Sequence, residues 1–157
     1  MYFSYLDNEK FKEIPLLTMK DNNHGNLPFY IRKYSKNTLT VNTHRHEYMQ
    51  INYVCHGRGR HIINDHEFEI VKGDIFVIPP YIPHQILSIE DMDIKIIEFE
   101  FNPEFINQNI KSIDNIESFF DFAYIEPFLV SENQVKPRLN LVGKIQMEVE
   151  NILGEVM

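Results

Sequence analysis

The segment from residue 28 to residue 101 constrains the fold of this chain more than any other part. Short runs rich in Ile, Val, Tyr and Phe recur there at 29–34, 48–55, 60–64, 67–71, 74–78, 84–89 and 94–101. They are divided by His56-Gly57-Arg58-Gly59, Asn64-Asp65-His66, Lys72-Gly73, Pro79-Pro80-Tyr81-Ile82-Pro83 and Glu90-Asp91-Met92. Separators this short leave no room for crossover helices. The pattern therefore predicts a mainly β fold, an antiparallel sandwich or barrel, and argues against a parallel α/β sheet. A polar arm (1–27) precedes the barrel (28–102), and a helical segment (103–157) follows it. Short helices are expected from Pro103 through Phe105 and Ile106, and over 112–122.

The end of the chain carries the clearest helix. Val142, Ile145, Val149, Ile152 and Val156 follow one another at steps of 3, 4, 3 and 4, the a/d spacing of a helix–helix seam. Such a stripe either covers the chain's own barrel or forms a dimer interface, and spacing alone does not choose between them.

The 157 residues fit one domain with an appendage. With 15 Lys and Arg against 23 Asp and Glu, the net charge is −8, a balance that repels phosphate backbones, so no direct nucleic-acid binding is expected. Cys55 is the only cysteine, which excludes an intrachain disulfide and suits a reducing compartment. No signal peptide and no membrane-length apolar run is read, so a cytoplasmic location is expected.

Chemistry concentrates in two places, Thr43-His44-Arg45-His46-Glu47-Tyr48-Met49-Gln50 and the stretch from Gly73 to His84. On a strand, His44, His46, Tyr48, Gln50 and Asn52 share one face, with the two imidazoles about 6.5–7 Å apart. His84 opens another strand after a proline-rich turn. Three imidazoles converging from two strands can bind a divalent metal or form a polar patch in a barrel mouth. A His-x-His pair by itself is equally the mark of ordinary surface histidines.

Spacing and turn chemistry agree across both places. His44-x-His46-x3-Gln50-x6-Gly57 resembles the first cupin motif, and Gly73-x5-Pro79-x-Tyr81-x2-His84 resembles the second. The wording, with Tyr53-Val54, Gly73-Asp74-Ile75 and Pro79-Pro80-x-x-Pro83-His84, is similar to the N-terminal domain of AraC-type transcription regulators. So are the stretch Phe99-Glu100-Phe101-Asn102-Pro103 and the final amphipathic helix. The resemblance implies a cupin-like double-stranded β-helix, or jelly-roll barrel, followed by C-terminal helices. Two positions depart from it: Gln50 stands where metal-binding cupins carry Glu, and Tyr81 where the second motif carries Gly.

Under that resemblance the chain is the effector-binding and dimerisation half of a regulator, not an enzyme. A homodimer would form through Val142, Ile145, Val149, Ile152 and Val156, and the DNA-binding half would lie outside these residues. Ligand-binding residues are expected at His44, His46, Tyr48, Gln50, Asn52, His84, Phe99 and Phe101, and no catalytic residue is assigned. Ile86, Ser88 and Ile97 are also expected to face inward, with Glu98 and Glu100 outward. The effector is expected to be a small molecule, for which a sugar would suit the lining. No cofactor is required, although His44, His46 and His84 are candidate ligands for a divalent transition metal. The competing reading is a stand-alone metal-binding cupin enzyme, a dioxygenase or isomerase, built on the same three histidines.

Overall fold

A computed structural model describes residues 6–22, 27–39, 42–89, 92–102, 105 and 138–157. Nine strands and two α-helices follow in chain order: β1 (Leu16–Leu17), α1 (Met19–Asn22), β2 (Phe29–Ser35), β3 (Arg45–His46), β4 (Met49–Ile63), β5 (His66–Val71), β6 (Asp74–Ile78), β7 (His84–Ser88), β8 (Ile94–Phe101), β9 (Arg138–Asn140) and α2 (Gly143–Val156). Every pairing among β2 and β4–β9 is antiparallel. The order β2-β8-β4-β6-β9 makes one wall, and β5 and β7 pair with the far half of β4 to make the other. This is the expected jelly-roll barrel. The helices expected after Pro103 and over 112–122 lie outside the described residues, except for Phe105.

β4 belongs to both walls, and the reason is local. The stretch His56-Gly57-Arg58-Gly59, expected as a turn, is strand throughout. Between Val54 and His56 the register against β8 slips, so Cys55 is the extra residue of a β-bulge. The bulge bends β4 from one wall into the other and reverses its side-chain parity. Gln50, Asn52 and Val54 face inward before it; His61 and Ile63 do so after it. Gly57 makes the bend possible. Its φ is +73°, and a Cβ there would lie 1.7 Å from the Asp93 carbonyl oxygen, so no side chain fits.

Two segments outside the expected barrel join it. In the arm, β1 runs parallel to β3, pairing Leu16 with Arg45 and Leu17 with His46. Arg45 is buried and anchors this contact, donating to the Ile14 carbonyl at 3.1 Å and to Asp7 at 2.5 Å. In the segment read as helical, β9 is a strand against β6. It is held by the buried Asp74 carboxylate, which accepts from Arg138 at 3.0 Å and Asn140 at 2.8 Å. A three-residue strand is too short to show a period in sequence; its partner, not its composition, makes it one.

α2 starts at Gly143, where the stripe predicts it. Tyr53, on the outer face of β4, donates to Glu150 of this helix at 2.8 Å. The half-buried residues of α2 are Gln146, Val149, Glu150 and Leu153, while Val142, Ile145, Ile152 and Val156 are 57–68% exposed. Most of the apolar stripe therefore points away from the described part of the barrel. No helix among the described residues is long and apolar enough to cross a membrane.

Candidate functional site

The inner face of the larger wall carries a buried polar cluster beside the apolar core residues Val54, Phe76, Ile78, Ile94 and Ile96. Cross-strand register sets Arg32 beside Glu98 and Asn52 beside Glu98, with Gln50 beside Glu100. Arg32 Nε donates to Glu98 at 2.8 Å and Arg32 Nη2 to Glu100 at 2.6 Å. Its guanidinium also lies over the Tyr34 ring, 4.6 Å from the centroid. Glu100 is wholly buried and accepts from the Tyr48 hydroxyl at 3.2 Å and from Gln50 at 3.5 Å. Burial pushes the Glu98 carboxyl up to about 8, against the opposing pull of Arg32 and with help from the neighbouring Glu100 carboxylate. Burial thus favours the protonated form of Glu98.

The opposite side of the barrel brings the histidines together. His84 is their centre: its ring centroid lies 4.3 Å from that of His44, 4.8 Å from His46 and 6.3 Å from His61. His46 stacks on Tyr48 at 4.4 Å, and His61 stacks on Phe76 at 4.6 Å. In His44, His46 and His84 the Nδ1 atom faces a backbone carbonyl, of Asn42, Tyr48 and Ile82 at 2.9, 2.6 and 3.1 Å respectively. A carbonyl only accepts, so each Nδ1 carries the proton and each Nε2 is left as a bare acceptor. Desolvation lowers all four imidazoles below their ordinary value, His46 and His61 to about 3. They are neutral at physiological pH.

Between these two sides lies a pocket of about 110 Å³. His44, Gln50, His84 and Ile86 line it, as the sequence predicts. Arg32, Tyr34, Leu39, Glu98 and, from the arm, Leu17 line it as well, and these were missed. His46, Tyr48 and Asn52 are buried and lie outside this lining, Asn52 directly across from Glu98. Two expectations are corrected. Glu98 and Glu100 point inward, and Phe99 and Phe101 share the outer face with Phe29, whose ring centroid is 5.8 Å from that of Phe99. The alternation Ile97, Phe99, Phe101 identified the more apolar face correctly, but that face is the outside of this wall. It is covered by Phe105, 5.4 Å from Phe29, and on the neighbouring strand by α2 through Tyr53. His61 was missed for a different reason, the parity reversal at Cys55.

The three histidines expected as metal ligands are gathered, with their Nε2 lone pairs free of backbone partners. Even so, no group of three His, Cys, Asp or Glu side chains among the described residues is disposed to hold a metal ion. Gln50 is also occupied: its Oε1 accepts from Asn52 at 3.1 Å while its Nε2 donates to Glu100.

The match of residues 27–142 to the AraC-like ligand binding domain covers both motifs, the barrel and β9. The chain belongs to this family. Among curated proteins, this AraC-like domain is 24% identical over 149 residues to the HTH-type transcriptional activator RhaR of Enterobacter sp. (strain 638), covering 91% of the chain and 51% of that protein. It is 37% identical over 49 residues to RhaR of Yersinia pseudotuberculosis serotype O:1b, covering 31% of the chain and 17% of that protein. The AraC-like domain thus spans about half the length, or less, of these relatives. Among solved structures it resembles a cupin-like protein of Thermotoga maritima, with TM-score 0.44, 21% identity and coverage of 54% of the chain and 64% of that protein. A cupin protein of Bacteroides fragilis gives TM-score 0.42, 19% identity and coverage of 55% and 69%.

Proposed function

We propose that this AraC-like domain is the effector-sensing and dimerisation part of a transcriptional regulator that contacts DNA through another part of a longer polypeptide. The observation that carries the reading is the pocket: a partly open cavity in the barrel where Arg32, Glu98, Gln50, His44 and His84 meet the apolar side chains of Leu17, Leu39 and Ile86. With net charge −8 the domain itself repels a phosphate backbone, so it acts on DNA through a tethered partner domain. The effector is a small polar molecule, and a sugar matches the mixture of imidazole, amide, carboxylate and tyrosine groups. RhaR, to which the chain is similar, is a transcriptional activator by name.

A thermal-shift panel of sugars, polyols and other small polar compounds tests this. A ligand present at 100 times its Kd should stabilise the domain by about 2.7 kcal/mol. Leu39→Trp, which fills the pocket from its rim, should abolish the shift and leave the fold intact. A broad panel in which nothing protects the wild type counts against effector sensing. If elemental analysis found one tightly held iron or manganese per chain, the metal-dependent enzyme would become the better reading.

Dimerisation is supported by the exposed stripe of α2. A helix this short is marginal unless packed, and the described part of its own barrel takes up only the Gln146, Val149, Glu150 and Leu153 side. Each apolar side chain buried in a two-helix seam contributes about 1.5–3 kcal/mol before ordering entropy is subtracted. The wild type should therefore sediment as a dimer at tens of micromolar. Replacing both Ile145 and Ile152 with Glu should give a monomer with an unchanged circular dichroism spectrum. A monomeric wild type, or a double variant that unfolds, would assign the stripe to the chain's own core.

A further inference from the structure

The inner face beside the pocket holds more carboxyl groups than cations. Two carboxylates on one face of β8, Glu98 and Glu100, share the single guanidinium of Arg32, and the surrounding imidazoles contribute no charge. Fully ionised, this inner face carries one negative charge beyond its own cation. A second observation is independent of the acidic pair. Asn52, wholly buried and directly across from Glu98, donates its Nδ2 to Gln50, but its Oδ1 has no partner among the described residues. It stands on the same inner face as Glu98 and Gln50, both of which line the pocket. His46 Nε2, against the edge of His84, is a second wholly buried acceptor without a partner. A buried polar group left unsatisfied is destabilising, so these acceptors call for a donor.

We propose that the pocket selects a small molecule bearing a protonated amino group, an amino sugar or amino alcohol, whose ammonium sits at the Glu98–Asn52 cross-strand pair. The proposal rests on the ligand-sensing reading and narrows it to one chemical class. An ammonium supplies three N–H donors and one positive charge, which matches the empty acceptors and the excess carboxylate together. In the ligand-free domain burial favours the protonated form of Glu98; the ammonium takes over the role of that proton. A neutral polyol supplies the donors without the charge, and a carboxylate ligand would add a third negative group to the site. The net charge of −8 favours accumulation of cations near the domain.

The test uses matched pairs that differ by one amino group, D-glucosamine against D-glucose and ethanolamine against ethylene glycol, titrated into the chain by calorimetry. One charge-assisted hydrogen bond should make the amine of the pair that fits the pocket bind about tenfold more tightly or better. Glu98→Gln keeps the shape but lowers the charge, and should shrink that ratio to about threefold or less. The wild-type comparison decides the matter even where that variant fails to fold. Equal or tighter binding of glucose or ethylene glycol overturns the amine preference while the ligand-sensing reading stands. Failure of both amines to bind, or a preference that survives in Glu98→Gln, overturns it as well.

Discussion

Replacing Arg32 with methionine should destabilise the domain by about 3–5 kcal/mol, because removing one member of a buried charge cluster leaves the others uncompensated. Methionine keeps much of the side-chain length, so the loss reports on charge more than on a cavity. Glu100 is wholly buried and Glu98 nearly so, and both bond to this one guanidinium. Without it, both carboxyls are driven to bind protons. The deficit relative to wild type should accordingly be largest at alkaline pH and shrink as the pH falls toward 5. Adding Glu98→Gln and Glu100→Gln to Arg32→Met should recover much of the stability by removing the stranded charges. Urea denaturation at several pH values measures all of this. A loss under about 1 kcal/mol would mean that the pair is solvated and that the cluster does not order the inner wall.

Acid should unfold the domain steeply, and the signs can be followed group by group. His46 and His61 titrate near 3 in the fold, and His84 well below its ordinary value, all from desolvation. Each is held neutral by the folded state, so its stabilising contribution is complete above about 6.5 and is lost as pH falls through the window toward 3. Glu98 works the other way. Its folded value is raised to about 8, so its contribution is present at low pH and fades as pH rises from about 4.5 to 8. Three histidines against one carboxyl leave a net uptake of about two protons on unfolding, a slope of about 3 kcal/mol per pH unit below 6.5. A domain of ordinary stability then unfolds between about pH 5 and 4. His61→Phe, which keeps a ring against Phe76, should remove about one proton from the slope. A stability that stays flat from pH 7 to 5 in metal-free buffer would show that water reaches these imidazoles.

Neutral histidines and a buried carboxyl that favours its protonated form explain how a polar cluster can lie inside a barrel. Hydrogen-bonding groups are tolerated there because they are paired with one another or with the backbone: Arg32 with Glu98 and Glu100, Gln50 with Asn52, and three Nδ1 atoms with carbonyls. What is left over among the described residues is three buried acceptors, on Asn52, His46 and His61.

The barrel, the two histidine-bearing segments that meet in it and the terminal helix were legible in local signals: turn residues between short apolar runs, period-two alternation through His44, His46, Gln50 and Asn52, and 3-4 spacing from Val142 to Val156. Which face of each strand is inside was not legible there and emerged from long-range packing. Alternation along β8 separates Ile97, Phe99 and Phe101 from Glu98 and Glu100, but it does not reveal that the apolar face is covered from outside while the charged face closes around Arg32. That ion triad joins residues 66 and 68 positions apart, and nothing near Arg32 in the chain marks it. The same holds for His61. Parity counted from Gln50 puts it outside, and the single extra residue at Cys55, accommodated by the left-handed Gly57, turns it in. Local pattern sets what a segment becomes. Which of its faces carries the chemistry depends on what the rest of the chain lays against it.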